Sequence, residues 1–214
     1  KERNVALETA CAMVEKFTAS KNAHSDEVKK CMVKEIVPQL RNNLWDENSD
    51  ISVIRMDIAL LIIKILKLYD QKELHNQLSK VIIDIIGKLR DKRYFKQRET
   101  ARNTLIAILR ELGSGYLHFT LTKLNSMLTQ GYQIPVLHFT ALGLLQTLRN
   151  EIHVDIDSSL SLILDIFLRD ITQPLPKAEK KFMKEQRAIY NYNLTYDCFT
   201  LLGKYINSQE SIQT

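Results

Sequence analysis

Three stretches of this sequence repeat one grammar, in which an apolar helical run is followed by a short polar link and a second apolar run. Residues 37–66 give VPQLRNNLWDE, a link, then VIRMDIALLIIKIL. Residues 75–112 give HNQLSKVIIDIIGKLRDKRYFKQRETARNTLIAILREL, with the basic link in the middle. Residues 116–148 give YLHFTLTKLNSMLTQ, a turn, then PVLHFTALGLLQTL. The second runs begin near residues 51, 96 and 134, a spacing of about 38–45 residues. A hairpin of two helices with two apolar faces cannot cover both by itself, so such hairpins must stack in series.

That period is the signature of HEAT or armadillo arrays. The expected fold is therefore all-α, a HEAT/armadillo-like α-solenoid of about nine helices, formed by one segment over 1–214. Its hairpins fall at roughly 25–69, 71–113, 115–150 and 153–206, with a flexible loop at 172–187. Gly (6) and Pro (4) are scarce, and apolar residues recur at three and four rather than alternating. Pro38 should kink the helix that carries it. Gly113 and Gly131 should end helices, Pro135 fits a first helical turn, and Asp155 or Asp157 should cap the helix that follows. In the run 53–66, Asp57 and Lys64 extend with Lys67 as one narrow polar stripe, so this helix should be covered on nearly all sides. The chain opens inside a helical pattern without an initiating Met, and neither end reads as a polar cap. The expectation is an excerpt of a longer array.

Composition narrows the function. At 45% hydrophobic and 26% charged, the chain is ordinary globular material. The 53–66 run carries Arg55, Asp57 and Lys64 and is shorter than the roughly 20 residues of a membrane span, so no membrane partner is expected. Cys11, Cys31 and Cys198 have no metal spacing and sit in apolar helical patterns. They read as buried free thiols, which fits a reducing compartment. The five histidines form neither H-E-x-x-H nor a Cys/His cluster, though His118 and His138 sit in facing helices. Gly113-Ser114-Gly115 follows no strand and is a helix–helix turn, not a nucleophile elbow. No catalytic residues, metal ligands, cofactor or small-molecule substrate are expected, and a helical enzyme domain is the weakest reading. Trp45, the one tryptophan, reads as a core plug at a helix end.

The formal charge of +5 is concentrated. Lys88, Arg90, Lys92, Arg93, Lys96, Arg98 and Arg102 fall within 87–105, opposed by Asp91 and Glu99. Two readings stay open. The link reads as a phosphate grip with Tyr94–Phe95 stacking a base, or as a solvated bend with Tyr94–Phe95 plugging the core. Arg98 is expected to be structural, paired with Asp91 as Arg55 is with Asp46, at places where HEAT units commonly bridge. In the third hairpin His138 stands near the Arg place. Lys88, Arg90, Lys92, Arg93 and Lys96 are the exposed phosphate candidates. A second basic run adds Lys180, Lys181 and Lys184, with Lys177 and Arg187, as a surface loop or an RNA contact that orders on binding.

One further signal comes from Arg98, Thr100, Ala101, Arg102, Thr104 and Leu105, then Leu112–Gly113, Tyr116–Leu117, the Gly131–Tyr132–Gln133 turn, Val136–Leu137, Thr140 and Leu144–Leu145. With Tyr196–Asp197 and 201–206, these residues resemble the family of very large HEAT-repeat small-subunit processome components known as component 20 or "down-regulated in metastasis". The resemblance covers about 50–206 and is clearest at 95–148. It implies a nucleolar, non-enzymatic scaffold for pre-ribosomal RNA maturation. The implied partners are other processome proteins and pre-ribosomal or small nucleolar RNA. It brings no catalytic residues. The alternative is a HEAT adaptor that grips peptide segments in nuclear transport or chromosome organisation.

Overall fold

The computed structural model describes residues 9, 12–14, 16–17, 19–20, 25–46, 53–147, 156–172 and 194–205. Among these residues the α-helices are α1 Asp26–Cys31, α2 Val37–Asn42, α3 Met56–Leu66, α4 Gln71–Arg90, α5 Arg98–Leu112, α6 Leu117–Met127, α7 Gln133–Thr147, α8 Ile156–Thr172 and α9 Leu194–Tyr205. The fold class is all-α, with the paired-helix grammar of a solenoid. The chain divides into two compact units, Lys1–Glu111 and Leu112–Thr214.

In the first unit, Ser25 caps α1 by accepting from the Val28 amide at 3.4 Å. Between α1 and α2 the backbone widens into a π-helical turn, Met32–Ile36. Pro38 follows in the first turn of α2. Its ring fills the space of a normal i–4 carbonyl and offers no N–H, so the expected kink is met as a wider turn. Helix α2 packs on α3, and α3 on α4. Asp70 caps α4, its side chain accepting from the Glu73 amide at 2.9 Å.

Helix α3 buries seven of its eleven residues, Ile58, Ala59, Leu61, Ile62, Ile63, Ile65 and Leu66. That meets the expectation of a helix covered on nearly all sides. It starts at Met56, later than the predicted 51, because Arg55 is extended and serves as the N-cap position. Ahead of it lies a small exception to the all-helical expectation. Trp45–Asp46 pairs antiparallel with Val53–Ile54 as β1 and β2, in register Trp45 to Ile54 and Asp46 to Val53. Two residues per strand carry no alternation for sequence periodicity to register. Trp45 accordingly sits on this ladder, half-buried, rather than plugging the core at a helix end.

In the second unit, α6 packs on both α7 and α8, α7 packs on α8, and α9 packs on both α8 and α7. Each helix touching its next and next-but-one neighbour is the pattern that stacked hairpins require. Gly113 takes φ 91° and Gly131 φ 56°, the left-handed conformation that glycine tolerates; Gly113 directly follows α5 as expected, whereas α6 already ends at Met127 and Gly131 lies in the turn that opens α7, its carbonyl accepting from the Ile134 amide. Helix α7 buries ten of its fifteen residues. The Asp155 and Asp157 capping side chains lie outside the described residues.

The repeat period is visible in side-chain bonds. Tyr69 Oη donates to the Lys29 carbonyl, 40 residues away. Arg41 grips Asp84, 43 residues away, with Nη2 to Oδ2 at 2.7 Å. Lys67 Nζ reaches the Glu111 carbonyl at 3.0 Å, 44 residues away. His118 Nδ1 meets Ser159 Oγ at 3.2 Å, 41 residues away. These separations sit inside the spacing of the predicted hairpins.

Candidate nucleic-acid interface

The basic link joins α4 to α5. Asp91 ends α4 in an extended conformation, and Lys92–Gln97 follows as a tight helical turn broken at Tyr94 (φ −99°, ψ 25°). The break turns the chain so that α5 begins at Arg98. Arg90, Lys92, Arg93 and Lys96 are exposed, as the phosphate reading requires. The Phe95 side chain lies outside the described residues, and Tyr94 is half-buried.

Lys88 differs from its expected role. It is half-buried, with Nζ 4.0 Å from the centroid of Tyr94 and 4.6 Å from that of Trp45. The ammonium thus rests between two aromatic faces, one from the α2–α3 link and one from the α4–α5 link. The negative faces of the rings attract the cation. Sequence alone does not show this, because the contact joins two links that share no periodicity.

The expected Asp91–Arg98 bridge also gives way. Arg93 takes Asp91 instead, with Nη2 to Oδ2 at 2.6 Å, Nε to Oδ1 at 3.2 Å and the Arg93 amide to Oδ1 at 2.9 Å. Two residues of separation let this pair close within the turn itself. Hydrogen bonding from Arg93 lowers the Asp91 carboxyl below its ordinary value, and the same bond raises the Arg93 guanidinium. One acidic group of the link is thereby matched locally.

Arg98 remains structural through another partner. It is 1% exposed, and its Nε donates to the Leu89 carbonyl at 3.1 Å. Leu89 lies in the last turn of α4, where carbonyls lack intrahelical partners and the helix dipole favours a cation. Arg102 is buried too. Its spacing of four from Arg98 places both on the inner face of α5, a signal the basic run obscured. Arg55 is half-buried at the start of α3, and the Asp46 side chain expected to meet it lies outside the described residues. Lys180, Lys181 and Lys184, with the rest of that basic run, also lie outside the described residues.

The second unit holds a polar cluster that the sequence did not reveal. His138, 3% exposed, places Nδ1 2.8 Å from Asp170 Oδ2, a close contact off the line of an ideal hydrogen bond. Its Nε2 lies 3.2 Å from Cys198 Sγ, and its ring lies 4.7 Å from that of Phe167. In the Nε2–Sγ contact the donor and acceptor roles follow from which imidazole nitrogen carries the proton. The order Cys–His–Asp is that of a nucleophilic triad, but Cys198 is 0% exposed and His138 is buried, and only Asp170 reaches toward solvent. His118 and His138 are not partners: His118 meets Ser159, whereas His138 meets Asp170 and Cys198. Cys198 is a buried free thiol as expected, but Cys31 is exposed, because α1 buries none of its residues. Cys11 lies outside the described residues.

Among the described residues, no group of three or more His, Cys, Asp or Glu side chains is arranged to hold a metal. Among the same residues, no helix is long and apolar enough to cross a membrane.

Comparison with known proteins places the chain in a family. The family model of the U3 small nucleolar RNA-associated protein 20 domain matches residues 46–214. The protein named U3 small nucleolar RNA-associated protein 20 of Schizosaccharomyces pombe is 27% identical over 186 residues, 86% of this chain and 7% of that protein. Its namesake in Saccharomyces cerevisiae is 28% identical over 206 residues, 91% of this chain and 8% of that protein. The chain thus spans less than a tenth of the length of these relatives. With most of its length matched, this chain belongs to the U3 small nucleolar RNA-associated protein 20 domain family.

Proposed function

We propose that this chain is a non-catalytic scaffold segment of the small-subunit processome, and that it supports maturation of the small-subunit ribosomal RNA precursor in the nucleolus. Its partners on this reading are other processome proteins and pre-ribosomal or small nucleolar RNA. Family membership supports the setting, since the relatives are named for association with U3 small nucleolar RNA. The exposed basic link supports the contact. Arg90 closes α4, and Lys92, Arg93 and Lys96 lie in the turn that follows, so four exposed cations gather where α4 leads into α5.

Such a cluster positions phosphates without reading sequence. These four side chains would track a backbone while Arg98 and Arg102 hold α5 in place. Peptide-gripping adaptor function lacks a comparable observation in its favour.

Salt dependence tests the reading. Four phosphate contacts on a single strand give a log–log slope of affinity against salt of roughly −3. Reversing Lys92, Arg93 and Lys96 to Glu should flatten that slope to about −1 or less, with the thermal unfolding midpoint nearly unchanged. An unaltered slope in the reversed protein would remove the link from the RNA contact.

A further inference from the structure

We propose that Trp45, Lys88 and Tyr94 form a subsite for one unpaired nucleotide of single-stranded RNA, with Lys88 meeting the phosphate and the aromatic faces meeting the base. The inference rests on the RNA reading above and specifies how the strand is held.

The geometry is unusual for a surface lysine. Two rings from separate links converge on one ammonium, 4.6 Å from Trp45 and 4.0 Å from Tyr94. All three side chains are half-buried, so solvent still reaches them. The rings offer Lys88 charge–quadrupole attraction but no hydrogen-bond acceptor, and an ammonium has three donors to satisfy. A phosphate oxygen supplies the charge-assisted hydrogen bond that the rings lack. A strand crossing this link therefore competes well for Lys88 and draws the ammonium off the aromatic faces.

Those faces then need cover. The π-face of an unpaired base provides it, and aromatic side chains stack any base regardless of identity. The neighbouring charges suit the same ligand. Arg90, Lys92, Arg93 and Lys96 flank Tyr94 in the chain and would carry the adjoining phosphates. The Asp91 carboxylate, three residues from both Lys88 and Tyr94, is matched by Arg93 and opposes a phosphate only weakly. Duplex RNA fits poorly, because its bases are already stacked on both faces. An acidic peptide of Asp and Glu satisfies the ammonium but brings no ring to the half-buried aromatic faces.

Trp45 is the only tryptophan in the chain, so its emission reports this site alone. The test titrates the 214-residue chain with an unstructured oligouridylate, and separately with an RNA duplex, linear polyphosphate and an oligoglutamate peptide. Oligouridylate should quench Trp45 saturably, and the other three should not. Tyr94→Ala should weaken oligouridylate binding about tenfold, and Tyr94→Phe should restore it. The wild-type titration needs no variant to fold. Oligouridylate binding measured by filter retention, without a change in Trp45 emission, would overturn the stacking subsite and leave the phosphate contact standing. Equal quenching by duplex, polyphosphate or peptide would also overturn it. Absence of any RNA binding would overturn both this inference and the RNA reading.

Discussion

Arg98 in α5 and His138 in α7 both bury a polar side chain in the second helix of a predicted hairpin, yet they solve its burial in opposite ways. Arg98 reaches back nine residues to a backbone carbonyl at the end of α4. It ties a hairpin to itself. His138 reaches forward to Asp170 in α8 and Cys198 in α9, so it ties one hairpin to the next. The difference teaches where each unit keeps its connections between repeats. In the first unit the ion pairs between repeats lie at the rim, as Arg41 with Asp84 and Lys67 with Glu111, around a core of Leu78, Ile82, Ile85 and Leu89. Rim pairs are worth little individually, about 0–1 kcal/mol, because solvent screens them. In the second unit the connection lies inside, where each lost partner leaves a polar group stranded.

The largest effect should therefore come from His138→Ala. It removes the ring beside Phe167 and the partner of the buried Cys198 thiol, and it should destabilise the chain by about 3 kcal/mol in urea unfolding. An effect no larger than that of a rim pair would erase the contrast between the units. Arg98→Met should cost about 2 kcal/mol, because its stem packing survives while the Leu89 carbonyl loses a charged donor. If Arg98→Met proved costlier than His138→Ala, the self-tie would be the stronger device.

A smaller effect should appear at high pH. Burial, chiefly, with the nearby charges of Cys31 and Glu73, pushes the Tyr69 phenol from 10.0 up to about 12. The folded state thus keeps this proton when the unfolded state has lost it. The stabilisation is whole below pH 10 and declines as pH rises toward 12. Tyr69→Phe lacks the ionisable group and also the bond to the Lys29 carbonyl. It should be less stable at neutral pH, and its stability should fall less steeply between pH 10 and 12. Parallel declines in the two proteins would show that Tyr69 is not held at this junction.

Much of the frame was legible because it depends on regular spacing. Helix starts about 40 residues apart predict side-chain bonds at separations of 40 to 44, as found at Tyr69, Arg41, Lys67 and His118. Gly113 and Pro38 were legible because each has a backbone limitation that only a few local structures satisfy. The candidate site was legible as a charge density but not as an arrangement. Nothing in the spacing separates Arg93, which closes on Asp91, from Lys92 beside it. Nor does spacing bring Lys88 to Trp45, since that contact depends on the two-residue β ladder. Arg102 counted as one more cation in a basic run until α5 placed it on the buried face with Arg98. His138 found its partners across stretches with no shared motif, one of them 60 residues away.

The most direct test of the central claim is ultraviolet crosslinking of the full-length protein inside the intact particle, with crosslinked residues mapped by mass spectrometry. The account predicts RNA crosslinks concentrated within residues 88–96, with Tyr94 foremost among them. Recovery of the protein with abundant RNA crosslinks elsewhere and none in that link would contradict it.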